Sequence, residues 1–343
     1  MKTRLFAVCA ALALCASAAE SRVKKGRPER GPEVETTGNG PAVLWSDPGD
    51  ISARDLFYGP GGREHQPAGR VEFVEEDLDG SSPKFVVRDE NGVKWKVKLG
   101  LEARPETAAS RLVWAAGYFA NEDYFVARLQ VEGLPRHLHR GQNFVSPGGV
   151  IRDARLKRYL KGEEKIGTWE WNDDPFSGTR EWNGLRLLMG LINNWDLKDE
   201  NNAIYQEETP DGESRRIYMV SDLGASFGTP NLTWPLKKTR GNLAHYRHSK
   251  FLAAIRDDAV DVRSPARPPW LFWFDHSEYR LRLRLTLLGR NIPLADARWL
   301  GHLLAQLSPA QIRDAFRAAG YSPDEVEGFA EVVEERIGTL REL

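Results

Sequence analysis

Residues 193–201, Asn193-Asn194-Trp195-Asp196-Leu197-Lys198-Asp199-Glu200-Asn201, followed by Val220-Ser221-Asp222-Leu223-Gly224, decide how this chain is read. Moving a phosphoryl group requires an Asp to orient the attacking hydroxyl and a Lys close by to neutralise the transferred charge. It also requires an Asn and a second Asp to hold metal ions. Asp196, Lys198, Asn201 and Asp222 supply those groups in that order. With each residue type at about 5% of a chain, Asp-x-Lys-x-x-Asn arises by chance in roughly 4% of chains this long. Adding an Asp-x-Gly within the next thirty residues lowers that to under roughly 1%.

The surrounding pattern agrees. Glu181 to Ile192 is an apolar run of helical period that ends just before Asp196. Ala203-Ile204-Tyr205 and Arg216-Ile217-Tyr218-Met219-Val220 then form two strands around the polar turn Thr209-Pro210-Asp211-Gly212. The order helix, Asp loop, hairpin, Asp-Leu-Gly resembles the C-lobe of the protein-kinase-like superfamily. Asp-Leu-Lys-Asp-Glu-Asn is similar to the DLKxxN of protein kinases, and Asp222-Leu223-Gly224 stands where they carry DFG. Asn194-Trp195 replaces the usual His-Arg, so the chain looks more like the atypical branches: HipA-type serine kinases, secretory-pathway kinases, spore-coat CotH-type kinases and phosphoinositide kinases.

The resemblance implies an α+β bilobal fold, with a small β-rich N-lobe carrying one αC-like helix and a larger, mainly helical C-lobe. It also implies ATP and magnesium as cofactors. Asp196 would be the catalytic base or orienting carboxylate, Lys198 the stabiliser of transferred charge, and Asn201 and Asp222 the metal ligands. The duplicated amide leaves Asn202 as an alternative to Asn201.

In the N-terminal half, Gly80-Ser81-Ser82-Pro83-Lys84-Phe85 resembles the Gly-x-x-Pro-Lys-Phe phosphate loop of HipA-type kinases, between strand-like Val71–Glu75 and Phe85–Arg88. Backbone N–H groups and hydroxyls in such a loop cradle phosphate. A plain turn between two strands uses the same residues. Asn91-Gly92 then signals a hairpin into Val93-Lys94-Trp95-Lys96-Val97-Lys98-Leu99. Alternation places Lys94, Lys96 and Lys98 on one face. Lys98, at the strand's end, is the choice for the nucleotide phosphates, whereas Lys94 and Lys96 read as a solvated stripe.

Pro105 suits a first helical turn, and Glu106 to Phe119 has helical apolar spacing. This is the αC-like helix, with Glu106 as the ion-pair partner of Lys98 and Glu102 as its substitute.

The first residues read as a secretory signal, residues 1–19, with Lys2 and Arg4 ahead of an apolar stretch from Leu5 to Ala16. That stretch is too short to be a stable membrane span. Both cysteines, Cys9 and Cys15, lie inside it, so the mature chain has neither disulfide nor thiolate chemistry. Taking Lys2 and Arg4 from the 48 basic residues leaves 46 against 49 acids, a net charge of −3 that implies neither nucleic acid nor an anionic membrane as partner.

Residues 20–45 are rich in Gly, Pro and charge and read as a flexible leader. An N-lobe over 46–133 and a C-lobe over 134–343 follow, joined by a hinge at Val131-Glu132-Gly133-Leu134-Pro135. Helices are expected over 294–307, 308–319 and 322–340, the last two opened by Ser-Pro.

Several further features read as structural. Arg136-His137-Leu138-His139-Arg140 reads as a solvated loop and not a metal site, because flanking arginines repel a cation. Trp169, Trp171 and Trp182 read as packing. The basic run Lys237, Lys238, Arg240, Arg247 and Lys250 reads as a solvated face or a receiver of acidic groups.

Together these readings give an exported kinase with a protein Ser/Thr acceptor. The alternatives are a nucleotide- or partner-binding module without turnover, and an enzyme that transfers AMP or phosphorylates a lipid or sugar.

Overall fold

A computed structural model describes residues 38–80, 82–209, 211–229, 239–263, 283 and 286–343. The expected signal segment, most of the leader, Ser81, Pro210, Lys237 and Lys238 lie outside the described residues.

After a two-residue strand, β1 (Ala42–Val43), the chain builds β2 (Val71–Asp77), β3 (Lys84–Asp89) and β4 (Lys94–Leu99). Helix α1 (Ala103–Ala115) follows, then β5 (Asp123–Glu132), β6 (Val145–Ser146) and β7 (Val150–Arg158). β3 pairs antiparallel with β2 and β4, β4 with β7, and β7 with β5. A short parallel contact, Val71 with Val131 and Glu72 with Glu132, closes β5 back onto β2. The alternation in β4 is the cause of the layer: Trp95, Val97 and Leu99 join Phe85, Val87, Ile151 and Leu156 in one apolar core, leaving the three lysines on the other face.

The rest of the chain begins with β8 (Glu163–Gly167), α2 (Arg180–Leu191), β9 (Asn202–Glu208) and β10 (Ser214–Val220). The second sheet has the order β1-β10-β9-β8. Next come α3 (Leu243–His248), a small sheet of β11 (Leu252–Ile255), β12 (Ala259–Val262) and β13 (Ile292–Pro293), and helices α4 (Leu294–Leu304), α5 (Pro309–Ala318) and α6 (Pro323–Arg341). Ser308 and Ser322 close full capping boxes with Gln311 and Glu325, as Ser-Pro starts should. Trp169, Trp171 and Trp182 form one buried cluster, with ring centroids 4.8 to 5.7 Å apart. They pack the core and offer no stacking platform. α1 packs on β5 and β7 and also against α5, so it touches both halves of the molecule.

Three expectations need correction. The leader does not run to residue 45: Ala42 and Val43 pair with Arg216 and Ile217 of β10, and Leu44 is buried. A four-residue apolar run behind Gly and Pro was too short to register as a strand. The hinge is not at residues 131–135, and the N-terminal lobe does not end at 133. Gly133 lies past the end of β5 with φ of 72°, and the chain returns through β6 and β7 to the same sheet. The crossover is the segment after Arg158, since β8 pairs with β9 in the second sheet. The αC-like helix begins at Ala103 and ends at Ala115, three to four residues earlier than the pattern from Glu106 to Phe119 suggested.

Among the described residues no helix is long and apolar enough to cross a membrane.

Candidate active site

The local sequence holds the Asp196 loop in place. Past α2 the chain turns at Asn193, whose φ of 51° suits an Asn better than most residues. The Asn194 side chain accepts from the Asp196 N–H at 3.1 Å, and the Asn201 amide donates to the Asp196 carbonyl at 2.5 Å. The Asn201 carbonyl in turn accepts from the N–H groups of Ser221 and Asp222 at 2.9 and 3.1 Å. Asn201 therefore ties the Asp196 loop to the Asp-Leu-Gly segment. Asn202 is fully buried and donates to the Trp169 carbonyl at 3.0 Å, away from the cleft, so the register favours Asn201.

A cleft of about 460 Å³ lies where these segments face the barrel. Gly80, Ser82 and Lys84 line it from the β2–β3 loop, Lys98 from β4, and Asp196, Lys198, Asn201 and Asp222 from the second half. Of the residues singled out from sequence, Glu106 sits behind the wall, in contact with Lys98, and Ser81 lies outside the described residues. Lys198 Nζ is 3.4 Å from Asp196 Oδ1, an oxygen that is buried and, among the described residues, accepts no hydrogen bond. A carboxylate oxygen left this way is ready to accept a proton or a donor from a ligand.

Lys98 is 7% exposed at its side chain and meets three carboxylates: Glu106 at 2.8 Å, and Glu102 and Asp222 at 3.2 Å each. Burial works against the ammonium, but Glu106 and Asp222 outweigh it and hold the Lys98 pKa above the ordinary lysine value. Asp222 shows the mirror effect. Burial pushes its carboxyl up, while Lys98 and the Gly224 N–H pull it below the usual range. Glu106 and Glu102 do not exclude each other, because positions four apart on one helix both reach Lys98.

Sequence reasoning missed Arg155 of β7. It is buried and holds Glu106 at 2.6 Å and Asp123 at 3.3 Å. No motif marks it, and the strand that carries it stands next to β4 only through non-local pairing. Arg240, in the basic run that reads as a solvated face or a receiver of acidic groups, lines the cleft and pairs with Glu102 at 3.0 Å. Lys96 is not in solvent: it is half-buried against Asp77 at 2.8 Å. The Arg136–Arg140 loop is likewise not simply solvated. The Arg140 guanidinium donates to the carbonyls of Asp77, Asp79 and Gly80, and Glu76 accepts from the His139 N–H at 3.0 Å, so this loop clamps the β2–β3 turn.

Glu102, Glu106 and Asp222 bring carboxylate oxygens within 4.8 Å of one another, but the Lys98 ammonium sits among them and already serves as their cation. The oxygen ligands a metal ion would meet in the cleft are Asp222, through the oxygen turned away from Lys98, and Asn201, with Asp199 and Glu200 on the same wall. All are oxygens, which suits a hard ion such as magnesium. Four cations (Lys84, Lys98, Lys198, Arg240) face five carboxylates (Glu102, Asp196, Asp199, Glu200, Asp222) in this cleft, so a polyphosphate gains from entering with a divalent ion.

A lysine strand and a carboxylate helix on one side of the cleft, with an Asp loop and an Asp-Leu-Gly on the other, give an α+β fold with the β-rich first part and helical second part of a kinase-like arrangement. No protein-family model and no curated protein matches the sequence. Among solved structures the chain is similar to the Helicobacter pylori proinflammatory kinase CtkA, at 9% identity and a TM-score of 0.44 over 80% of this chain and 97% of that one. It is similar to the Golgi casein kinase with Mn/ADP bound at 12% identity and a TM-score of 0.38, over 80% and 72% of the two chains. A third is the Rio2 kinase-ADP/Mg2+-phosphoaspartate complex from Chaetomium thermophilum, at 12% identity and a TM-score of 0.34 over 80% and 72%. Likenesses this distant do not bear on chemistry.

Proposed function

We propose that the chain is a kinase that transfers the γ-phosphoryl group of ATP to an acceptor hydroxyl, with a protein Ser or Thr as the first acceptor class, and that it works outside the cytoplasm after export. One observation carries the phosphotransferase reading: residues 98, 106, 196, 198, 201 and 222, drawn from separate elements, converge on one cleft with the charges that reaction needs. Export is supported by Lys2, Arg4 and the apolar stretch Leu5–Ala16.

In this reading Lys98 holds the nucleotide phosphates and is itself held by Glu106, while Gly80, Ser82 and Lys84 cover them. Asp196 takes the proton of the acceptor hydroxyl as its oxygen attacks the γ-phosphorus. The bond to the β–γ bridging oxygen breaks, and ADP leaves with that oxygen. Lys198 neutralises charge on the group in flight. Bound magnesium supplies Lewis-acid neutralisation of the polyphosphate, with Asn201 and Asp222 as the residues that would hold it.

Incubating the mature protein with γ-labelled and α-labelled ATP, magnesium and an extract of its own envelope tests this. Label from the γ position in an acid-stable, protease-sensitive product is the expected result. α-Label in the product would mean AMP transfer, γ-label in a protease-resistant product a lipid or sugar acceptor, and neither label a binding module without turnover. Amino-terminal sequencing of the protein from the envelope fraction reads the export, which an intact Met1 there would refute.

A further inference from the structure

A second cavity, about 310 Å³, opens at the amino end of α1. Arg104 of α1, Arg152 of β7 and Arg240 line it, together with Asp153, Glu325 and Tyr321. One of its carboxylates is paired within the cavity and the other is engaged in a helix cap. Asp153 lies 3.3 Å from Arg104, and Glu325 accepts from both the N–H and the hydroxyl of Ser322 at 2.9 Å in the cap of α6. Among the described residues the Arg152 guanidinium, on an exposed residue, has no ion-pair or hydrogen-bond partner.

Tyr321 points to a ligand. It is 8% exposed, and among the described residues its hydroxyl has no hydrogen-bond partner. The ring cannot swing out to find one: Phe316 and Phe329 pack it at 5.9 and 4.8 Å, and Arg104 lies over its face at 5.8 Å. The hydroxyl abuts Gly241, another lining residue, where an added Cβ would come within 2.3 Å of it. A buried O–H without an acceptor is unfavourable. Three arginines line the cavity that holds it, at the opening turn of a helix, with Arg104 paired to Asp153, Arg240 to Glu102 and Arg152 left over; guanidinium forks match phosphate oxygens.

We propose that this cavity binds a phosphate-type oxyanion, and that its occupancy is felt in the cleft through Arg240. Arg240 lines both spaces and holds Glu102 at 3.0 Å, and Glu102 in turn holds Lys98 at 3.2 Å and accepts from the Ser82 hydroxyl at 2.8 Å. An anion that draws Arg240 toward the second cavity loosens Glu102 in the first. The relay rests on the nucleotide reading given above; the anion site does not.

Calorimetry on the full chain, titrated with inorganic phosphate and separately with a short phosphoserine peptide, tests the site. Saturable phosphate binding is expected, weakened about tenfold or more by Arg152→Ala and by Tyr321→Phe. In phosphate-free buffer Tyr321→Phe should melt no lower than the parent, since it removes only an unpaired hydroxyl. Unchanged affinity in both variants, no saturable binding, or a lower melting temperature for Tyr321→Phe without phosphate would each overturn the site. Tighter binding of the peptide makes the source a phosphorylated side chain, and equal or weaker binding makes it the free ion. A shift of ADP affinity with phosphate in the parent, absent in Arg152→Ala, supports the relay. ADP that binds with the same affinity at every phosphate concentration refutes it, and ADP that does not bind at all defeats the nucleotide reading while leaving the phosphate titration intact.

Discussion

Replacing Glu106 with Gln keeps the volume of the side chain and removes its charge from between two buried cations. Glu106 is 1% exposed, with Arg155 at 2.6 Å and Lys98 at 2.8 Å. Burial pushes its carboxyl up, and Arg155 and Lys98 beside it pull the other way. Losing one partner of a buried ion pair costs about 3–5 kcal/mol. Here the cost lies at the low end, about 3 kcal/mol, because Lys98 keeps Glu102 and Asp222 at 3.2 Å and Arg155 keeps Asp123 at 3.3 Å. At about 2 °C per kcal/mol for a chain of this size, the melting temperature should fall by roughly 6 °C. Lys98→Met should cost at least as much, since it leaves Glu102, Glu106 and Asp222 within 4.8 Å of one another without the cation they share, and it should abolish nucleotide binding. The double variant should lose less than the sum of the singles by more than about 1 kcal/mol, because both changes act on one contact. Circular-dichroism melts and ADP titrations of the four proteins read this. A Glu106→Gln melt within a degree of the parent, or losses that simply add, would refute the buried network.

Three further outcomes are expected. Asp196→Asn should lower the transfer rate by at least about a hundredfold with nucleotide affinity nearly unchanged, since that carboxylate acts on the acceptor; single-turnover kinetics beside ADP titration would show it, and wild-type turnover would make Asp196 structural. Asp222→Ala, or chelation of divalent ions in the parent, should weaken ATP binding about tenfold or more, and magnesium should strengthen binding to the parent but not to the variant, as calorimetry reads. Lys157, pushed down to about 8 by burial, binds fewer protons folded than unfolded between about pH 8 and 10.5, so its contribution to stability rises with pH across that window. Lys157→Met should raise stability at pH 7 by up to about 3 kcal/mol and flatten that rise, and urea melts at pH 7 and 9.5 showing no change would contradict it.

The parts of the site that local pattern could reveal were those whose chemistry is contiguous in the chain. Asp196, Lys198 and Asn201 share one loop, Asp222 closes the hairpin that follows, and period two put Lys98 on the face of its strand opposite the apolar core, where it lines the cleft. Resolving Asn201 from Asn202 needed the Trp169 carbonyl, a partner 33 residues away. The hinge was misplaced because Gly133 and Pro135 punctuate a turn within the first sheet as readily as a passage between lobes, and only the pairing of β7 with β4 and β5 tells the two apart. Lys96 was assigned to solvent because alternation gives the face of a side chain, not what covers that face. Asp77 covers it.

Arg155 shows why the remaining part could not be read locally. Asp123, Arg155, Glu106, Lys98 and Asp222 alternate in sign along a single line of contacts at 3.3, 2.6, 2.8 and 3.2 Å. They come from β5, β7, α1, β4 and the segment after β10, so the line runs from the barrel to the edge of the second half. Each inner member is stabilised as a buried charge by neighbours of opposite sign, and neutralising any one removes part of that compensation. Lys98 is therefore positioned by residues 25 and 57 positions after it, in β5 and β7, as well as by the helix that follows it. Closing the barrel brings these strands together, so the fold of the first half is what assembles this wall of the cleft. A sequence pattern registers the carboxylates on α1 but not the guanidinium that opposes the upward push of burial on Glu106 and holds it in place.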